Sequence, residues 1–73
     1  MKTKITITLQ YAQKAYEAIT DNRYLEEIAY YEYPDVWIID EPDEDEHEQI
    51  IAEFICRLKD FGIPAGEYEI ITE

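Results

Sequence analysis

The amino-acid sequence predicts an α+β domain in which a four-stranded antiparallel sheet is covered on one face by two helices. Three observations carry this expectation. Alternating apolar residues mark a strand near each end of the chain, a long apolar stripe at helical spacing marks a helix in the second half, and a tyrosine-rich stretch around Pro34-Asp35 marks a central hairpin. With 73 residues there is room for one domain, 1–73, and little room for a deep active-site cleft.

From Thr3 to Leu9, apolar Ile5, Ile7 and Leu9 alternate with Lys4, Thr6 and Thr8, the pattern of a strand buried on one face. Ala12, Ala15, Tyr16 and Ile19 then recur at helical spacing, and Asp21-Asn22 ends a helix of about three turns. Leu25 to Tyr33 and Val36 to Asp40 read as two strands, because Tyr, Val, Trp and Ile favour strands and Pro34-Asp35 favours a turn. A competing signal runs through the first of them. Tyr24, Leu25, Ile28 and Ala29 also form a helical stripe with Asp21 as its cap, which gives an alternative with residues 22–31 helical and a three-stranded sheet with three helices.

Ile50, Ile51, Phe54, Ile55, Leu58 and Phe61 share one face of a long helix from near Asp43 to Phe61. Its start carries Pro42 and a capping-box pair, Asp43 and Glu46, and Gly62-Ile63-Pro64 is a stop signal of the Schellman type. Glu67 to Thr72 alternates once more, with Tyr68 and Ile70 on one side, as the last strand. The order strand, helix, strand, strand, helix, strand resembles the ferredoxin-like fold, which hosts many unrelated functions.

Charge is the more informative feature. The formal net charge is -12, from 18 acidic against six basic residues, so direct binding to nucleic acid or to an anionic membrane is disfavoured and basic proteins are attracted. No lysine or arginine lies between Arg23 and Arg57, and Asp40, Glu41, Asp43, Glu44, Asp45, Glu46 and Glu48 crowd one helix start. Capping and the helix dipole would account for about two or three of these. Carboxylates three or four residues apart on a helix are separated by about 5–6 Å. Those on alternate strand residues are about 7 Å apart. Both spacings approximate the few ångströms between successive phosphates of a nucleic-acid strand.

Aromatic side chains are concentrated in the same region, and Tyr30, Tyr31, Tyr33 and Trp37 are candidate partner-binding anchors. Residue alternation puts Tyr30 and Glu32 on one sheet face, Tyr31 and Tyr33 on the other, and separates Trp37 from Ile38, so one aromatic set is expected on the uncovered face. A structural role in a small core explains these residues equally well.

Other chemistry is poorly supported. His47 amid Asp43, Glu44 and Glu48 has ligand-like spacing, but one copy at an exposed helix start builds no metal site, and the calcium-loop pattern lacks its glycine. Cys56, the only cysteine, sits in acidic and apolar surroundings that suit a buried structural thiol more than a nucleophile, and it rules out an internal disulfide framework. Neither a phosphate-cradling glycine loop nor a catalytic constellation is recognisable, so no enzyme activity and no cofactor is expected. Without an unbroken apolar stretch of signal-peptide or membrane-spanning length, the expected setting is cytoplasmic, as a monomer or homodimer.

In size, acidity and absence of catalytic motifs, the whole chain resembles the small nucleic-acid-mimic inhibitors of phages and mobile elements, of the anti-CRISPR and anti-restriction type. That resemblance implies stoichiometric inhibition, with Glu26, Glu27, Glu32, Asp35, Asp40, Glu41, Asp43, Glu44, Asp45, Glu46 and Glu48 standing in for phosphates. The implied partner is a basic nucleic-acid-binding protein such as a CRISPR effector subunit, blocked where it recognises target DNA and its PAM. An acidic interaction or regulatory module anchored by Trp37 and the tyrosines is the alternative.

Overall fold

The N-terminal alternation forms strand β1 (Lys2–Ile7), with Thr3, Ile5 and Ile7 buried and Lys2 and Lys4 in solvent. The structure is a computed structural model and describes residues 2–73. Helix α1 (Leu9–Thr20) follows, then a short helix α2 (Arg23–Ile28), strands β2 (Ala29–Glu32) and β3 (Val36–Asp40), helix α3 (Glu44–Asp60), a 3-10 turn (Ala65–Glu67) and strand β4 (Tyr68–Thr72). The expected first strand is shorter than the alternation suggests. Leu9 already belongs to α1 and is 70% exposed, so its place in the pattern does not reflect burial.

The four strands lie in the order β2-β3-β1-β4 with every neighbouring pair antiparallel, which is the ferredoxin-like arrangement. Ile5 stands opposite both Trp37 and Ile70, and Thr3 opposite Ile39 and Thr72, so these side chains share the covered face. Ala15 and Ile19 of α1, Leu25 of α2, and Ile50, Phe54 and Leu58 of α3 close over them in one core. The uncovered face presents Lys2, Lys4, Tyr30, Glu32, Asp40, Glu69 and Ile71, all exposed.

The segment expected as a strand from Leu25 to Tyr33 is divided. Its first part is helix α2, whose cap is Asn22 and not Asp21: the Asn22 side chain accepts the Leu25 N–H at 3.1 Å and Leu25 is fully buried. Only Ala29–Glu32 pairs with β3, so the helical signal wins over residues 23–28 while the four-stranded sheet stands. Three helices therefore cover the sheet where two were expected.

Both ends of α3 follow their signals. Asp43 accepts the Glu46 N–H at 2.9 Å, and Gly62, at φ 77°, closes a Schellman motif in which the Ile63 N–H reaches Leu58 O and the Gly62 N–H reaches Lys59 O. Two residues of this helix depart from expectation. His47 is buried and not part of an exposed start: Thr3 Oγ1 lies 2.6 Å from its Nε2 and 3.0 Å from Thr72 Oγ1, fastening the first turns of α3 to β1 and β4. Cys56 is exposed and not a core thiol, because it lies about 200° around the helix from Phe54 and from Leu58, which face the sheet.

His47 Nδ1 has no hydrogen-bond partner among the described residues, so Nε2 supplies the ring's polar contact. Thr3→Val preserves the shape of the threonine and removes that contact. Unfolding in urea is expected to show a loss of about 1–3 kcal/mol, the penalty for stranding a buried polar atom. Wild-type stability in Thr3→Val would mean that this network contributes nothing to the attachment of α3.

Candidate functional site

Antiparallel pairing decides where the acidic residues lie. Asp40 is opposite Lys2 and Ala29 is opposite Ile39, so the exit of β3 and the entry of β2 are at the same end of the sheet. Helix α3 starts just after β3, which brings Asp40, Glu41, Asp43, Glu44, Asp45, Glu46 and Glu48 to this end, whereas Glu26 and Glu27 of α2 line a hollow with Tyr16, Tyr30 and Tyr31 against α1. Glu32 and Asp35 are not at this end either. Glu32 pairs with Val36, and Asp35 O accepts the Ile7 N–H at 2.8 Å, about 17 Å along the strand from Asp40. The expected surface of eleven acids thus divides into a main group of seven, Glu26 and Glu27 beside α1, and two outliers at the opposite end.

Tyr24 ties α2 to the first turn of α3. Its hydroxyl donates to Glu46 Oε1 at 3.2 Å. Partial desolvation against the protein surface, the bond to Glu46, and the charges of Glu46, Glu53 and Glu41 together raise its pKa above the ordinary 10.0. Glu53, outside the dense run, therefore joins the group through the helix, and Tyr24 joins it as the one aromatic in its midst.

Glu46→Gln removes the carboxylate charge that acts most strongly on this phenol and weakens its hydrogen bond. The Tyr24 titration, followed by NMR with Tyr24→Phe as the assignment control, should move back towards 10.0 in that variant. Because the folded-state pKa is raised, the linked stability is present below the unfolded value near 10 and is lost as pH rises through the folded one. An unchanged titration would separate Tyr24 from the acidic group.

Few of these charges are neutralised. Among the described residues the ion pairs within 4.0 Å are Arg23–Glu27, at 3.6 Å on the exposed face of α2, and Arg57–Asp21, at 2.8 Å between α3 and the end of α1. Glu26, Asp40, Glu41, Asp43, Glu44, Asp45, Glu46 and Glu48 have no such partner there, although Lys2 stands opposite Asp40. Asp43 and Glu41 do local work, since Asp43 caps the helix and Glu41 Oε1 accepts the Asp43 N–H at 3.1 Å. Glu44, Asp45 and Glu48 are exposed and make no side-chain hydrogen bond within the described residues.

The aromatic candidates separate. Trp37 is 2% exposed, so its expected role as a partner anchor is overturned: its pairing with Ile5 turns it under the helices, where Phe54 meets it edge-on at 5.8 Å. Tyr31, on the same face, is half-buried and lies 4.6 Å from Trp37 and 5.0 Å from Tyr16. Its hydroxyl donates to Pro34 O at 2.9 Å, and burial followed by the neighbouring Tyr33, Tyr16 and Asp35 raises its pKa. Tyr30 and Tyr33 are exposed and available to a partner.

Among the described residues no group of three His, Cys, Asp or Glu side chains is placed to hold a metal ion, and no helix is long and apolar enough to cross a membrane. His47 is turned to Thr3, and Cys56 lies nine residues further along α3, about 13 Å away along the axis, so the two do not form a nucleophile and base. What this end of the molecule can do chemically is offer an array of carboxylates, none of those from Asp40 to Glu48 within 4.0 Å of a cation among the described residues, on a firmly held support. No family model, no curated protein and no solved structure matches the chain.

Proposed function

We propose that the chain is a non-catalytic inhibitor that mimics nucleic acid, with the acidic end of the sheet occupying the basic binding channel of a defence nuclease complex. One observation carries this reading: carboxylates from the exit of β3 and the first turns of α3 gather at one end, and none of these seven, Asp40 to Glu48, has a cation within 4.0 Å among the described residues. A channel built to neutralise phosphates gains the same Coulombic attraction from such an array. The supporting elements are anchored by Leu25, His47 and Ile50 in the core, so the charges keep their spacing.

A CRISPR effector inhibited at the site where it recognises target DNA and its PAM fits the class resemblance best, and inhibition there would take place in the cytoplasm of a bacterial cell. Immobilised protein incubated with bacterial lysate tests the reading. Nucleic-acid-processing proteins should be retained at low salt and released at high salt, because exposed charge contacts are screened within about 10 Å at 0.1 M salt. Recovery of no such protein at either ionic strength would count against mimicry.

A further inference from the structure

A shallow hollow of about 490 Å³ opens between α1, α2 and the edge strand β2, separate from the first turn of α3. Tyr16 and Tyr30 border it, Tyr31 and Trp37 form its floor, and Glu26 and Glu27 stand at its rim. Tyr16 is 40% exposed and offers ring surface to the hollow, whereas Tyr30, on the edge strand, turns its ring to the uncovered sheet face. The floor is fixed, because Tyr31 is held between Trp37 and Tyr16 and its hydroxyl is committed to Pro34.

Aromatic surface beside two carboxylates is complementary to a planar cation. A guanidinium can stack on a ring while its edge N–H groups reach a carboxylate, whereas an ammonium has no such plane. The chain's own Arg23 already sits 3.6 Å from Glu27, fully exposed on the neighbouring turn, and it would have to yield this carboxylate or share it. We propose that this hollow receives an arginine side chain of the partner. The inference rests on the reading that the partner surface is basic, and it adds a specific anchor to an otherwise diffuse electrostatic contact.

The full chain titrated with N-acetyl-arginine amide, N-acetyl-lysine amide and the neutral N-acetyl-citrulline amide tests this by NMR. Saturable shifts of the Tyr16 and Tyr31 rings and of the Glu26 and Glu27 amides are expected with the arginine amide, weaker ones with lysine and none with citrulline. Glu26→Gln with Glu27→Gln, both on the surface, should weaken arginine binding about tenfold, and Tyr16→Leu by a similar factor.

Equal shifts with citrulline, shifts confined to residues 41–48, or no saturable shift would each overturn the proposal. So would full arginine affinity in the double glutamine variant. None of these results depends on the partner. Failure here therefore leaves the mimicry reading to its own test, and retention of a nuclease from lysate by Tyr16→Leu would not rescue this one.

Discussion

Reversing Glu44, Asp45 and Glu48 to lysine will weaken binding to a basic nucleic-acid channel by about ten- to ten-thousandfold, with the fold intact. Each exposed charge contact contributes on the order of 0.2–1 kcal/mol, and turning attraction into repulsion roughly doubles the change at each position. These three are chosen because they are exposed and make no side-chain hydrogen bond within the described residues. Asp43 and Glu46 are poorer targets. Asp43 caps α3 and Glu46 binds the Tyr24 hydroxyl, so reversing them would confound lost binding with a loosened helix start. Calorimetry against the captured partner, with circular dichroism as the fold control, reads the effect. Unchanged affinity in the triple variant would mean that the acidic end is not the binding surface.

Trp37→Ala is expected to have the largest effect on stability, about 3–5 kcal/mol, because it removes a buried indole and leaves a cavity. A chain of 73 residues has a total stability of roughly 4–11 kcal/mol, so the variant should be marginal or unfolded at 25 °C. Denaturant unfolding checks the magnitude. Tyr33→Ala is the informative contrast: this side chain is 87% exposed, and its loss should leave stability within about 0.5 kcal/mol. If Trp37→Ala kept wild-type stability and lost only partner binding, the indole would belong to an interface after all.

The difference between these two aromatics shows where sequence reasoning stops. Alternation puts Trp37 and Ile38 on opposite faces, but which face the helices cover is decided by the pairing of Trp37 with Ile5, a contact between residues far apart in the chain. β3 and both ends of α3 were legible because a clear period is bounded by strong turn or cap residues. Residues 23–32 were not. There the period changes from helical to alternating within a few residues, and neither run is long enough to dominate.

Two misplacements were correctable from the pattern itself. His47 lies three residues before Ile50 and so extends the buried stripe of Ile50, Phe54 and Leu58, while Cys56 falls between members of that stripe and points away. The acidic group was legible as a density of charge, and its partition was not. Glu32 and Asp35 are close in sequence to Asp40, yet the hairpin carries them to the far end of the sheet. Glu53 and Tyr24 were missed as members because they join only when α2 lies against α3.

The most direct measurement of nucleic-acid mimicry is displacement of a labelled DNA duplex from a purified CRISPR or restriction effector retained by this protein, followed across a salt series. One-to-one displacement is expected, with an inhibition constant that weakens about 10³-fold between roughly 50 and 200 mM salt if six or so carboxylates replace phosphates. The Glu44→Lys, Asp45→Lys, Glu48→Lys variant should fail to displace it. A complex in which effector, duplex and inhibitor coexist, or displacement indifferent to salt, would contradict occupation of the nucleic-acid channel by the acidic end.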